Sequence, residues 1–191
     1  MDVMTAILTR RSEDLLAEPA PADDEFVYLL RGAATAPDRG DHRAAPKPWR
    51  WILLRGEGHA ALARCLGPGD VGEPAGAVPP QAPLIAALVF APQPGDRAPQ
   101  WEQLAAATTV SHSLTLLLHA RGYGSVWYAG RLAVSAAARA LLALAPTERL
   151  LGGLWIGTPD PNRRHLRRPL EDVAQQVSVF GTSERSAAER V

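Results

Sequence analysis

The sequence has one cysteine, Cys65, and no net charge, because its 20 basic residues balance its 20 acidic ones. A single cysteine excludes an internal disulfide framework and any multi-cysteine zinc or iron–sulfur site. The charge balance favours neither nucleic acid nor an anionic membrane as a partner. The apolar run from Leu84 to Ala91 is too short to span a bilayer, and the amino terminus lacks the pattern of a signal peptide. We therefore expect a cytoplasmic protein with no nucleic-acid or membrane partner.

Familiar catalytic motifs are also missing. There is no Walker-type phosphate loop and no Gly-x-Ser-x-Gly nucleophile elbow, and the five histidines have no metal-ligand spacing with a nearby carboxylate. Cys65 lies in a short amphipathic segment, where a cysteine is more often packed than nucleophilic. The basic run from Arg163 to Arg168 has no interleaved aromatics. We expect no metal site and no catalytic side chain, which leaves a binding protein or an enzyme whose cofactor supplies the chemistry.

A long segment without charge is the most distinctive feature that is present. No Asp, Glu, Lys or Arg occurs between Glu102 and Arg121, and apolar residues recur at helical spacing from Leu104 to Leu118. The acidic start and basic end suit the helix dipole, and Gly122 is a natural stop. A helix without a charged face is usually buried nearly all round. The pattern predicts a long central helix, covered by the rest of the fold or by a second subunit.

The remaining pattern mixes helices and strands. Helices are predicted from Asp2, as a cap, to Arg10, from Asp23 to Pro37, from Glu57 to Leu66 and from Ser135 to Pro146. Strands are predicted over Trp49–Arg55, Leu84–Phe90, Ser125–Ala129 and Leu150–Gly157. The Gly- and Pro-rich stretch Gly67–Pro83 predicts a surface loop or flap, and the polar residues 181–191 are predicted to be disordered. This order favours an α+β fold in which helices wrap a sheet.

Two short motifs are compatible with ligand binding. Arg10, Arg11 and Ser12 follow the first predicted helix and suit a phosphate, with each charge-assisted hydrogen bond worth roughly 1.5–3 kcal/mol. Cations at a helix carboxyl end are explained equally by the helix dipole. The glycines of Gly122-Tyr123-Gly124 permit close backbone approach to a flat ligand, or an ordinary helix stop and turn. The residue chemistry alone leaves both alternatives open in both motifs.

Several motifs nevertheless occur in a recognisable order. They are Arg10-Arg11-Ser12, Ala36-Pro37-Asp38, Pro48-Trp49-Arg50-Trp51, Trp101-Glu102-Gln103, Gly122-Tyr123-Gly124-Ser125-Val126-Trp127 and Gly157-Thr158-Pro159. In this order and spacing they resemble the nitroreductase family of flavin reductases, in particular its short single-domain subgroup. The resemblance implies one FMN-binding domain over residues 1–180. It also implies an α+β nitroreductase-like fold with an antiparallel or mixed central sheet and a long central helix at a homodimer interface.

The resemblance further implies two FMN molecules at the subunit interface and NADH- or NADPH-dependent reduction of nitroaromatics, quinones or related small acceptors. The reaction would be a ping-pong hydride transfer through the flavin, with no catalytic acid or base among the side chains. The residues that would bind the phosphate and ribityl end of FMN are Arg10, Arg11 and Ser12. Those that would line the flavin from the same subunit are Trp127, Tyr128 and Ala129. Those that would reach the flavin of the other subunit are Thr35 and Arg39.

Three departures from the subgroup touch the rim of this implied site. Arg39 stands where a histidine is usual, with His42 nearby, and we favour Arg39 as the residue that reaches the flavin. Thr35 replaces a longer basic residue, and Gly67–Pro83 replaces a stretch that is usually helical and basic. The departures leave two alternatives: a non-catalytic dimer that binds or sequesters flavin, and a dimeric small-molecule binding module that has lost it.

Overall fold

The computed structural model describes residues 1–35, 46–67, 81–163 and 170–180. Its helices are α1 (Val3–Thr9), α2 (Asp23–Ala33), α3 (Gly56–Leu66), α4 (Gln100–Ala120), α5 (Gly130–Val134) and α6 (Ala136–Leu141). Its strands are β1 (Leu16–Ala17), β2 (Trp49–Leu54), β3 (Leu84–Phe90), β4 (Gly124–Tyr128) and β5 (Arg149–Pro159). These elements belong to a compact unit, Met1–Pro161, whereas the second unit, Asn162–Val191, contains a short 3-10 helix, Ala174–Gln176. The domain limit at residue 180 stays a prediction, and residues 181–191 lie outside the described ranges.

Strand β5 organises the sheet. It pairs antiparallel with β3 through one edge and with β4 through the other, and its last two residues pair with β1. Strand β2 pairs antiparallel with β3. The chain therefore has the predicted α+β architecture, with an antiparallel sheet.

The two faces of the sheet carry separate apolar clusters. One cluster lies under α3, α5 and α6, and the other lies under α2 and α4. Successive strand residues point to opposite faces, so Ile85 joins the first cluster and Leu84 the second. All seven residues of β3 are buried, which confirms the prediction of a strand that is apolar on both faces.

Helix α4 has almost the predicted limits, and its end is well defined. Gly122 has a φ of 89°, and its N–H donates to the carbonyl of His119 at 2.9 Å. The Tyr123 N–H donates to the carbonyl of Leu118 at 3.0 Å, which completes a Schellman stop. The single chain leaves one side of α4 exposed, so the predicted cover by a second subunit stays a prediction for that side. Its exposed residues include Trp101, Ala105, Thr108, Thr109 and His112.

Some inward faces were predicted wrongly. In α2 the spacing of apolar residues predicts that Phe26, Val27, Leu29 and Leu30 face inward. The residues that face the sheet are Phe26, Leu29 and Ala33, whereas Val27 is 41% exposed. These three follow the i, i+3, i+7 spacing of one helix face, and Val27 lies one residue beyond that face. In α6, which ends well before the predicted Pro146, the sequence predicts that Leu141 and Ala145 also face inward. Leu141 is 43% exposed, and Ala145 lies beyond the helix and is exposed.

A bidentate ion pair joins β2 to the residue that precedes β5. Nε of Arg50 donates to Oε1 of Glu148 at 2.7 Å, and its terminal nitrogen donates to Oε2 at 2.8 Å. The Ala145 N–H also donates to this carboxylate at 2.9 Å. The hydrogen bonds from Arg50 lower the pKa of Glu148 from 4.5 to about 2, although burial opposes them. The pair therefore holds the turn after α6 against the sheet.

This ion pair predicts a specific acid dependence of stability. Because the pKa of Glu148 is lower in the folded chain, its contribution is complete above about pH 4.5 and is lost as the pH falls towards 2. Arg50 is partly exposed, so we expect Glu148→Gln to lower the free energy of unfolding by about 1–2 kcal/mol at pH 7. Urea denaturation at pH 7, 4.5 and 3 checks whether the difference from the wild type shrinks. A difference that stays constant would contradict the assignment.

Candidate functional site

A cavity of about 370 Å³ lies between α4 and the sheet, and we call it the α4 cavity. Its lining consists of Arg10, Ser12, Leu88, Thr108, Ser111, His112, Thr115, Ser125, Trp127 and Leu154. A larger cavity of about 540 Å³ lies on the other face of the sheet, where Leu62 and Trp155 line it together with residues from β1. That second cavity contains none of the predicted site residues. The α4 cavity is therefore the candidate site.

Three predicted site residues meet in the α4 cavity although they are far apart in the chain. Helix α1 ends at Thr9, and Arg10 continues in an extended conformation with φ −59° and ψ 134°. Ser12 then forms a parallel bridge with Ser125, and the Glu13 N–H donates to the carbonyl of Ser125 at 3.2 Å. This backbone pairing sets Arg10 and Ser12 beside β4, which carries Trp127.

The close approach at the start of β4 depends on Gly124. A Cβ on Gly124 would lie 2.6 Å from Cδ2 of Leu16 and 3.3 Å from Cγ of Glu13. A side chain there would require the end of the Leu16 side chain to move aside. In the motif Gly122-Tyr123-Gly124, the first glycine therefore ends α4, and the second admits the amino-terminal segment.

Trp127 is accommodated by a glycine on the neighbouring strand. Gly152 has a φ of 148°, and a Cβ there would lie 2.6 Å from Cζ2 of Trp127. The Trp127 side chain is 41% exposed, so part of its ring remains available to a ligand. The cavity thus combines a guanidinium and a hydroxyl from the end of α1 with an aromatic ring from β4.

The polar wall of the α4 cavity was missed by the sequence predictions. Thr108, Ser111, His112 and Thr115 all line it and come from α4. Residues spaced three and four apart share one side of a helix, so this pattern in an otherwise charge-free helix was the signal that could have found them. Thr115 donates its hydroxyl to the carbonyl of His112 at 2.7 Å. The wall offers hydroxyls and an imidazole, which are groups that orient a polar ligand.

The structure does not bring the Tyr128 side chain to this cavity. Neighbouring residues of a strand point to opposite faces, so Tyr128 points away from the side that Trp127 occupies. Tyr128 is buried, and its ring meets that of Trp155 edge-on at a centroid distance of 5.2 Å. The predicted contact of Tyr128 with flavin would therefore involve its backbone and not its side chain.

Of the remaining predicted residues, those that the structure describes do not line the cavity. Arg11, which lies between Arg10 and Ser12 in the chain, is half-buried, and so is Ala129. Thr35 is exposed just beyond α2, where its hydroxyl donates to the carbonyl of Gly32 at 2.8 Å. Arg39 and His42 lie outside the described residues. The binding roles of all these residues stay predictions.

Two further searches cover the described ranges alone. Within them, no group of three or more His, Cys, Asp or Glu side chains is arranged to hold a metal ion. Within the same ranges, no helix combines the length and the apolar character needed to cross a membrane.

Comparison with known proteins relates the chain to nitroreductases. No family model matches it. The putative NAD(P)H nitroreductase YdjA of Escherichia coli is 29% identical over 167 residues, which are 83% of this chain and 89% of that protein. A putative NAD(P)H nitroreductase of Haemophilus influenzae is 28% identical with the same coverage.

Solved structures of nitroreductase-like proteins have a similar fold. A nitroreductase-like family protein from Bacillus cereus superposes with a TM-score of 0.72 at 21% identity, covering 95% of this chain and 97% of that one. The FMN and NADPH-dependent nitroreductase NfnB of a Sphigopyxis strain gives 0.70 at 19% identity, covering 95% and 100%. The resemblance inferred from the motifs is confirmed: the chain has the nitroreductase fold and is similar to putative NAD(P)H nitroreductases over most of its length.

Proposed function

We propose that this chain is an FMN-dependent oxidoreductase that takes electrons from NADPH or NADH. Its proposed acceptors are nitroaromatics, quinones or related small molecules, reduced by ping-pong hydride transfer. The observation that carries the proposal is the meeting of Arg10, Ser12 and Trp127 in the α4 cavity. The names of the related proteins, putative NAD(P)H nitroreductases and an FMN and NADPH-dependent nitroreductase, support it. A cytoplasmic location remains part of the prediction.

The residues of the cavity fit FMN by their chemistry. Arg10 offers a permanent positive charge and Ser12 a hydroxyl, and both groups donate hydrogen bonds to phosphate oxygens. Trp127 offers the apolar surface against which a flat ring system packs. The cavity volume of about 370 Å³ falls within the usual range for small-molecule sites.

Bound FMN would supply the hydride-transfer chemistry, so the protein needs to bind, orient and exclude water. Arg10, Arg11 and Ser12 are proposed to hold the phosphate end. Trp127, with the backbone at Tyr128 and Ala129, is proposed to line the ring system. The hydroxyls on α4 are available to the polar parts of the ligand.

We further propose that two copies of the chain form a homodimer through α4 and α1. The exposed side of α4 carries no charge, and Trp101 there is 71% exposed. Helix α1 packs on the end of α4 and exposes several large apolar residues, namely Met1, Val3, Met4, Ile7 and Leu8. Contiguous exposed apolar surface is typical of protein–protein contacts. Thr108 and His112 belong to both the exposed side and the cavity lining, so a partner on this surface would also cover the cavity.

A spectrum of the purified protein, followed by anaerobic addition of NADPH, tests the activity. We expect a visible flavin band that NADPH bleaches and that an added quinone or nitroaromatic restores. Bound FMN that NADPH fails to bleach within minutes would instead favour the flavin-sequestering dimer. A colourless protein that does not bind added FMN would overturn the flavin proposal.

Substitution of Arg10 tests where the phosphate binds. Arg10→Ala should weaken FMN binding by roughly 10- to 100-fold, the loss of one charge-assisted hydrogen bond or somewhat more. Arg64→Ala is the matched control, because Arg64 is exposed on α3 on the other face of the sheet. Fluorescence titration of the apoproteins with FMN measures both. Equal affinities for the two variants would place the phosphate elsewhere.

The dimer is tested by introducing charge on the exposed side of α4. Ala105→Arg keeps a good helix former but places a guanidinium in the proposed interface. We expect analytical ultracentrifugation to give a dimer for the wild type and a monomer for this variant. Ala63→Arg, at an exposed position of α3, should leave the dimer intact. A wild-type protein that sediments as a monomer at every concentration would contradict the proposal.

A further inference from the structure

His119, on the last turn of α4, contacts the residue that precedes the proposed phosphate site. Its Nε2 lies 2.8 Å from Oγ1 of Thr9. The same Thr9 hydroxyl donates to the carbonyl of Thr5 at 2.6 Å. A hydroxyl has a single hydrogen, so Thr9 must accept from His119. The geometry therefore assigns the imidazole proton to Nε2.

This hydrogen bond attaches the residue before Arg10 to α4. At the other end, Ser12 bridges to Ser125 and the Glu13 N–H donates to the Ser125 carbonyl. The segment from Arg10 to Ser12 is thus attached to α4 before it begins and to β4 where it ends. Thr9 is exposed at the carboxyl end of α1, a helix of seven residues.

His119 also belongs to the helix face that forms the cavity wall. Ser111, Thr115 and His119 follow one another at intervals of four residues, so they lie on the same side of α4. One face of α4 therefore both lines the cavity and holds the end of α1. Any displacement of His119 would change the separation between Arg10 and that wall.

We propose that His119 is a positioning residue for the end of the α4 cavity that carries Arg10. Its Nε2–H holds the Thr9 hydroxyl and thereby sets where Arg10 and Ser12 meet the phosphate of a ligand. The inference deepens the proposed function, since it takes the ligand to carry a phosphate. His119 need not touch the ligand itself.

The charges around His119 give the proposal a second consequence. Burial lowers the pKa of His119, the positive charge of Arg10 lowers it further, and Glu13 opposes both. An anion bound to Arg10 would cancel part of that positive charge, so the pKa of His119 should rise on binding. By linkage, the affinity for the anion should rise as the pH falls through the titration range of His119.

FMN carries a phosphate and riboflavin does not. Comparing the binding of the two flavins distinguishes a positioning role of His119 from a general role in stabilising the fold. His119→Leu should weaken FMN binding by about five- to tenfold, the effect of one lost hydrogen bond, and riboflavin binding by less than about twofold. His119→Gln keeps an N–H donor at the position of Nε2 and should restore most of the FMN affinity. Thr9→Val should match His119→Leu, and the double variant should lose no more than either single variant.

Nuclear magnetic resonance of the imidazole nitrogens tests the same proposal without flavin. In the wild-type apoprotein, the His119 signal, identified by its loss in His119→Gln, should show the proton on Nε2. Inorganic phosphate should raise the measured pKa of His119, and this rise should be absent in Arg10→Ala.

Three results would overturn the inference: a neutral imidazole with its proton on Nδ1, no pKa change with phosphate, or equal weakening of FMN and riboflavin by His119→Leu. Failure of the proposed function is distinguishable from these. In that case the wild type binds neither flavin, and the phosphate titration alone then decides the role of His119.

Discussion

The pairing of Ser12 with Ser125 is the contact on which the candidate site depends. It brings the end of α1 to the start of β4, where Gly124 leaves room for the Leu16 side chain. Strand β4 is itself fixed because it pairs with β5, the strand that also carries β3 on its other edge. A backbone contact between two distant segments therefore brings together short motifs that are far apart in the sequence. Together they form a cavity with a cation at one end and an aromatic ring at the other.

The elements with the strongest sequence signals were predicted well. The limits of β3 were correct because an uninterrupted apolar run leaves little freedom in where a buried strand begins and ends. The limits of α4 were nearly correct because its charge-free stretch ends at a glycine. Strand β1 was not predicted, since its two residues form a strand only by pairing with β5. Helix α5 was also missed, because it is too short for a helical period to appear in the sequence.

The site was only partly predictable. Arg10, Ser12 and Trp127 were singled out through the family resemblance, since the residue chemistry alone favoured a solvated helix end and an ordinary turn. The Tyr128 side chain could have been assigned to the other face from strand alternation, because two consecutive residues of one strand cannot both face one ligand. The polar residues of α4 were overlooked because hydroxyls within an apolar helix commonly satisfy its own carbonyls, as Thr108 does with Ala105 at 2.9 Å.

The position of Thr108 and His112, shared between the exposed side of α4 and the cavity lining, has a consequence for how the protein responds to dilution. If the same residues serve self-association and ligand capture, the two equilibria obey one mass-action law. Ligand would then be released when the proposed dimer dissociates. The ligand concentration that gives half-occupancy would change with the protein concentration in the cell. Expression level would thereby set occupancy, without any change in the residues of the site.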